Sequence, residues 1–178
     1  MDNIHANIVR SYIRAKDENR PHLMGKVFTD SATLEMVLNT DNISFPAITS
    51  GVEAITDVLV RQFSQTYENV YTYCLLDSSE NSKDELSFRW LVGMNERESG
   101  SVRVGCGRYN WHFNNQAYTL VDHLIITIEE MAVLPPESIG QIMDWFDTLP
   151  YPYCESKMMD EHMPDIDLLN TIRKKAVQ

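Results

Sequence analysis

The stretch YTLVDHLIITIEEM, residues 118–131, places one carboxylate within the alternating pattern of a strand that buries one face. Asp122 has the same parity as four apolar residues: Leu120, Leu124, Ile126 and Ile128. A buried carboxylate is unfavourable unless it is paired, hydrogen-bonded or protonated. Because a neutral acid in an apolar cavity can donate a hydrogen bond to a ligand oxygen, Asp122 is a candidate catalytic residue. The alternative is an ion pair with an arginine of a neighbouring strand: Arg89, Arg103 or Arg108.

Composition limits the class of protein. The chain has 178 residues, of which 43% are hydrophobic, and this suits one domain with a substantial core. Its formal net charge of -11 argues against binding to nucleic acids or anionic membranes and favours neutral or cationic ligands. The N-terminus has an acid at position 2 and no apolar run, unlike a signal peptide, so we expect a cytoplasmic protein.

Cysteines, histidines and glycines give no sign of a metal or cofactor site. Cys74, Cys106 and Cys154 are widely spaced, as is typical of reduced, buried thiols. The histidines show no H-x-x-x-H or H-E-x-x-H spacing, and VGCGRY lacks the lysine and the following helix of a phosphate-binding loop. We therefore predict no metal and no cofactor.

Hydrophobic periodicity predicts the elements that must position these residues. Residues 3–17 have helical spacing, residues 32–38 alternate as a strand, and a second helix begins near residue 52. Turn-rich segments separate four strand-like runs, as in a meander of hairpins: 69–76, 86–95, 102–113 and 118–131. Short amphipathic helices follow the proline pair at 135–136.

This order predicts an α+β fold, in which a long, strongly bent antiparallel sheet wraps around N-terminal helices and C-terminal helices are added. Glycines within strands often mark bends, and three occur here: Gly93, Gly105 and Gly107. A bent sheet around helices leaves a conical cavity. We expect one domain over residues 1–178, with a core of about 1–148 and a C-terminal extension of about 149–178.

Four stretches carry a family resemblance: YIRAKDENRPHLMGKVFTDSATLEM, SGVEAITDVLVRQF, VGCGRYNWHF and YTLVDHLIITIEEM. They resemble the opening helix and first strand, the second helix and the paired long strands of the nuclear transport factor 2-like superfamily, in its SnoaL-like, polyketide cyclase-like branch. The resemblance covers roughly residues 5–131 and implies a conical fold with a ligand cavity. It does not imply one activity, since the superfamily includes cyclases, dehydratases, isomerases and non-catalytic binders.

The ketosteroid isomerases of this superfamily extend the resemblance to single residues. Their helix tyrosine corresponds to Tyr12 in VRSYIRA, and their protonated aspartate corresponds to Asp122 in TLVDHL. Their catalytic base corresponds to Met36 in ATLEMV, which cannot accept a proton. The resemblance thus implies two hydrogen-bond donors that polarise a carbonyl or stabilise an enolate, and it argues against steroid isomerase chemistry itself.

A base would have to come from elsewhere, within hydrogen-bond reach of the substrate. His112 is the first candidate, and an ionised Asp122 is the second. We expect five residues to line the cavity: Met36, Phe45, Trp90, Leu120 and Leu124. Two functions follow. One is a cofactor-free cyclase, isomerase or dehydratase that acts on a small apolar carbonyl compound by general acid–base catalysis, and the other is a non-catalytic ligand-binding or assembly module.

Two further predictions concern assembly and the C-terminal segment. Tyr109, Trp111 and Phe113 share one parity, and an exposed aromatic row of that size is unusual on a monomer, so we expect a homodimer through the outer face of the sheet. The helices within residues 136–178 are too short to be stable alone, and we expect them to cover one end of the cone.

Overall fold

The computed structural model describes residues 3–114 and 119–177. Its strands are β1 (Phe28–Leu38), β2 (Ile48–Ser50), β3 (Tyr67–Asn81), β4 (Glu85–Glu96), β5 (Val102–Phe113), β6 (Val121–Leu134) and β7 (Tyr153–Cys154). Its helices are α1 (Asn3–Asp17), α2 (Val52–Thr56), α3 (Phe63–Thr66), α4 (Ile139–Asp147), α5 (Ser156–His162) and α6 (Leu169–Val177). A π-helical turn, Asp57–Gln62, joins α2 to α3, and 3-10 turns span Pro21–Lys26 and Pro136–Ser138. Among the described residues, no helix has the length and apolar content that a membrane span requires.

The strands form one sheet in the order β2-β1-β6-β5-β4-β3-β7. Strands β3 to β6 pair antiparallel with their chain neighbours, as expected for alternating runs joined by short turns. Strand β1 pairs parallel with β6, and the short β7 adds parallel to β3 at the far edge. The predicted α+β architecture, with a bent sheet around the N-terminal helix, is therefore confirmed.

Helix α1 packs on the inner face of the sheet because its apolar residues recur at helical spacing. Its buried apolar side chains are Ile8, Val9, Tyr12, Ile13 and Ala15. The Tyr12 ring makes edge contacts with the rings of Tyr109 and Trp111, at centroid distances of 5.7 and 5.1 Å. Both of these aromatic residues are buried, as is Phe113. The aromatic row that was expected on the outer face therefore belongs to the inner core.

The homodimer was predicted because this aromatic row was expected to be exposed. The row is buried, so that reason no longer applies, and the homodimer stays a prediction. Alternation along β5 defines two faces of the strand but not which of them meets α1. Sedimentation equilibrium at tens of micromolar measures the oligomeric state directly, and a monomer at that concentration would contradict the homodimer.

The C-terminal helices cover the outer face of the sheet rather than one end of the cone. Ile142, Phe146 and Ile172 are fully buried against strand residues that point away from α1. The Phe146 ring lies so close to β4 that a Cβ atom at Gly93 would be 1.7 Å from Phe146 Cε2. The Tyr73 hydroxyl donates to the Phe146 carbonyl at 2.8 Å and fixes α4 on the sheet. Helices thus cover both faces of the sheet.

The cysteines are buried and free, which leads to a prediction about their reactivity. Burial raises the pKa of the Cys106 and Cys154 thiols to about 12, and raises the pKa of Cys74 well above its ordinary value. Because the thiolate is the reactive form, the native protein should resist iodoacetamide at pH 8, whereas all three thiols should react in urea. Mass spectrometry of the alkylated protein measures this difference. Rapid labelling of any of these thiols in the native state would contradict it.

Candidate functional site

A mostly apolar cavity lies between α1, the inner face of the sheet, the loop after β1 and the α2–α3 segment. Its volume, measured as the space that the centres of water molecules can occupy, is about 40 Å³. This is enough for roughly three waters. Phe45 of the loop is half-buried and stacks on Phe63 of α3, with ring centroids 6.4 Å apart. Both rings line the cavity.

Four residues that the sequence predicts for the site do line this cavity: Tyr12, Met36, Phe45 and Trp90. Leu124 is buried in the inner core, opposite Leu34 and Trp111, but it is not part of the cavity wall. Leu120 lies at a bend before β6 and is half-buried. The prediction that these two leucines line the cavity is wrong, since neither belongs to its described wall.

Lys16 is the charged residue among the described residues of the cavity wall, and its place there was not predicted from the sequence. Its side chain is 8% exposed, and its Nζ donates to Asp17 Oδ1 at 2.6 Å and to Thr72 Oγ1 at 2.7 Å. The ammonium group also lies 5.1 Å from the centroid of the Phe63 ring. Lys16 follows Tyr12 by four residues on α1, so the two side chains share one helix face. That spacing was the available signal.

Asp17 sits behind Lys16 and accepts hydrogen bonds from three residues. The Thr72 backbone N–H donates to Oδ2 at 2.7 Å, and the Thr72 hydroxyl donates to Oδ1 at 2.9 Å. The Tyr151 hydroxyl, from the segment after α4, donates to Oδ2 at 3.0 Å. With Lys16 as a further donor, the carboxylate is 2% exposed and fully engaged. It holds Lys16 in place and has no free oxygen directed at the cavity.

Two tyrosines add hydroxyl groups to the cavity wall. Tyr12 and Tyr109 are both buried and their ring centroids are 5.7 Å apart. Burial raises the pKa of Tyr12 and of Tyr109 above the ordinary value, so both stay protonated hydrogen-bonding groups at neutral pH. The Nε1 of Trp90, which also lines the cavity, is buried and has no hydrogen-bond partner among the described residues. A ligand acceptor near the indole would satisfy this group.

Asp122 does not point into the cavity. It is exposed, and its Oδ1 accepts a hydrogen bond from Thr29 Oγ1 at 2.8 Å. His123 pairs with His112, whereas Val121 pairs with Phe113, so a β-bulge leaves Asp122 unpaired between them. Both predictions for Asp122, the neutral acid and the ion pair, are therefore wrong. The bulge places Val121 and Leu124 on the buried side and breaks the parity on which those predictions relied.

The three arginines that were candidates for pairing with Asp122 have other partners. Arg89 pairs with Glu129 at 2.9 Å, and Arg103 lies 3.6 Å from Glu96. Arg108 donates to the Ser87 hydroxyl at 3.4 Å.

His112 does not face the cavity either. It lies on the outer face of β5, beside Glu85 of β4 and His123 of β6. The titratable residues on the described cavity wall are Tyr12, Lys16 and Tyr109. The structure thus brings together hydrogen-bond donors and one cation, and it places the predicted base on the opposite side of the sheet.

The sequence matches no family model and no curated protein. Solved structures match its fold. A type 2 hexachlorocyclohexane dehydrochlorinase (LinA) has a TM-score of 0.58 at 13% identity, covering 73% of this chain and 86% of that chain. A nuclear transport factor 2-like protein from Burkholderia xenovorans LB400 has a TM-score of 0.56 at 8% identity, covering 72% and 91%.

A third structure is a Catenulispora acidiphila DSM 44928 protein with a ketosteroid isomerase-like fold, in complex with trimethylamine. Its TM-score is 0.54 at 13% identity, and the match covers 67% of this chain and 82% of that chain. At such low identities the comparisons concern the fold alone. The conical α+β architecture of this protein is that of the nuclear transport factor 2-like and ketosteroid isomerase-like folds.

Proposed function

We propose that the protein binds a small, mostly apolar molecule that carries an oxygen acceptor, such as a carboxylate, phenolate or carbonyl. The observation that carries this proposal is the Lys16 ammonium group in the wall of an otherwise apolar cavity. An ammonium group has three N–H donors, and two of those on Lys16 are engaged by Asp17 and Thr72. The third is available to a ligand oxygen.

The rest of the wall suits an apolar ligand body. Three methionines line the cavity, and their flexible thioethers adapt to ligands of different shape: Met36, Met94 and Met131. The Trp90 ring and the Phe63 ring add apolar surface. Such a lining, with a few polar groups at one end, is typical of small-molecule sites. The buried, free cysteines support the cytoplasmic location that the sequence predicts.

Acid–base catalysis of the cyclase, isomerase or dehydratase type, without a cofactor, is the second candidate. One observation favours it: Lys16, Tyr12 and Tyr109 lie in the same wall, where their donors would stabilise an enolate oxygen. Such a reaction also needs a proton acceptor. The described cavity wall contains neither a carboxylate nor an imidazole, so binding is the first proposal.

A ligand panel tests the proposal. The smallest carboxylates, such as acetate and propionate, and their neutral amide isosteres should be titrated into the protein by calorimetry, after native mass spectrometry has checked for retained metabolites. We expect the carboxylates to bind more tightly, and Lys16→Gln to remove most of that preference, since a charge-assisted hydrogen bond is lost. Lys26→Gln, at an exposed position, is the matched control. Equal affinity for both series in the parent protein would exclude the proposed role of Lys16.

A further inference from the structure

Four titratable side chains form a row across the outer face of the sheet, away from the cavity. In order they are Glu85 of β4, His112 of β5, His123 of β6 and Glu35 of β1. Glu85 pairs in register with His112, and His112 pairs with His123. Glu35 lies two residues beyond Thr33, the β1 partner of His123. The row lies on the part of this face that the C-terminal helices leave uncovered, so its members remain accessible to solvent.

The two imidazole rings stack on each other, with centroids 5.3 Å apart and an interplanar angle of 21°. Each ring has one nitrogen beside a carboxylate. His112 Nδ1 lies 3.2 Å from Glu85 Oε1, and His123 Nε2 lies 3.4 Å from Glu35 Oε2. The His112 side chain is 37% exposed and that of His123 is 35% exposed. The remaining nitrogens, His112 Nε2 and His123 Nδ1, are therefore not used by these carboxylates.

This arrangement matches what metal-ligating histidines require. Such a histidine binds the ion through one nitrogen and donates its other ring N–H to a carboxylate, which fixes the tautomer and raises the basicity of the ligand. Each imidazole has a carboxylate oxygen within 3.4 Å of one ring nitrogen, and His123 Nε2 makes no hydrogen bond to another described residue. Two nitrogens that share an ion at about 2.1 Å each lie within about 4.2 Å of one another. The two ring centroids are 5.3 Å apart, so binding requires both rings to direct these nitrogens at the same ion.

We propose that His112 and His123 bind one divalent transition-metal ion, of the Zn²⁺, Cu²⁺ or Ni²⁺ class that imidazole prefers. Within the part of the chain that the structure describes, no three His, Cys, Asp or Glu side chains converge as ligands. The ion therefore takes two protein nitrogens, and water completes its coordination. The net charge of -11 attracts a cation to this surface. The proposal differs from the sequence-based expectation of no metal, because directly opposed strand positions are invisible to spacing motifs.

Calorimetric titration of the untagged, metal-free full chain with Cu²⁺ and with Zn²⁺ tests this site. We expect one site per chain, with affinity lowered at least tenfold in His112→Ala and in His123→Ala. Glu35→Gln and Glu85→Gln should each weaken binding by about 10–100-fold, since they remove the carboxylates behind the ligands. His22→Ala and His162→Ala change exposed histidines elsewhere and should bind as the parent protein does.

Electron paramagnetic resonance of the Cu²⁺-loaded protein provides an independent count of bound nitrogens. Two imidazole nitrogens in the parent protein, and one in each single His→Ala variant, support the site. His112→Gln and His123→Gln replace the alanine variants if the latter do not fold. Unchanged affinity in both histidine variants, or a signal with no imidazole nitrogen, would overturn the proposal and indicate adventitious binding.

Discussion

Replacing Lys16 with methionine is expected to lower the free energy of unfolding by about 3–5 kcal/mol. The methionine keeps most of the apolar volume, but it leaves the Asp17 carboxylate buried without its cation. Three hydrogen bonds from Thr72 and Tyr151 remain, and they do not supply a positive charge. Urea denaturation, monitored by circular dichroism, measures the loss.

A double-mutant cycle separates this charge effect from packing. Asp17→Asn alone should also destabilise the protein, because it leaves Lys16 as the unpaired charge. The double variant Lys16→Met/Asp17→Asn should lose less than the sum, with an interaction energy of about 0.5–3 kcal/mol. Lys26→Met is the matched exposed control and should be close to neutral. Additive losses in the cycle would mean that the two side chains are not coupled.

Replacing Gly107 with alanine is expected to destabilise the protein by about 3 kcal/mol, at the upper end for overpacked cores. An added Cβ would lie 1.9 Å from the Thr127 carbonyl oxygen and 2.7 Å from Trp90 Cζ2. The first of these atoms is backbone, so the clash cannot be relieved by side-chain rotation and must separate β5 from β6. The Trp90 contact also transmits the shift to the cavity wall.

Gly140→Ala is the control for the loss of glycine itself. Gly140 lies in α4, and an added Cβ there would have no atom within 4 Å. In a helix this substitution should stabilise the protein by about 0.5–1 kcal/mol. Thermal unfolding of the two variants beside the parent should therefore give shifts of opposite sign. A Gly107→Ala variant as stable as the parent would show that β5 and β6 are not held as closely as the structure has them.

Alternation and helical spacing were sufficient to predict the architecture. The helix predicted over residues 3–17 has the same bounds as α1, and the strand predicted over residues 102–113 has the same bounds as β5. The meander was predictable because each strand carries its own period and each turn carries its own polar residues. The side of the sheet on which a residue lies was harder to predict from the sequence. Periodicity separates the two faces of β5 but does not tell which of them packs against α1. That missing information is why Tyr109 and Trp111 were assigned to the wrong side.

Only part of the candidate site could be predicted from the sequence. Tyr12 and Met36 were predicted through the resemblance to the ketosteroid isomerases, which matches them to the helix tyrosine and the catalytic base. Phe45 and Trp90 were predicted as large apolar residues of the cavity. Asp122 was misplaced because a bulge is a property of two paired strands and leaves no mark on the alternation of one. Lys16 was missed because a lysine at the end of a helix normally lies in solvent, and its burial depends on Thr72, a residue far along the chain.

The covering of the outer face by the C-terminal helices has a consequence for the order in which the protein folds during synthesis. The apolar outer side of β3 to β6, including Leu91 and Val104, finds its partners only in residues 139–177. Until that segment leaves the ribosome, a largely formed sheet would expose this apolar surface to solvent. Strand β1 likewise cannot pair until β6 has been synthesised, since Leu34 of β1 pairs with Leu124 of β6. We therefore expect the sheet to reach its final packing only after residues 139–177 have been synthesised.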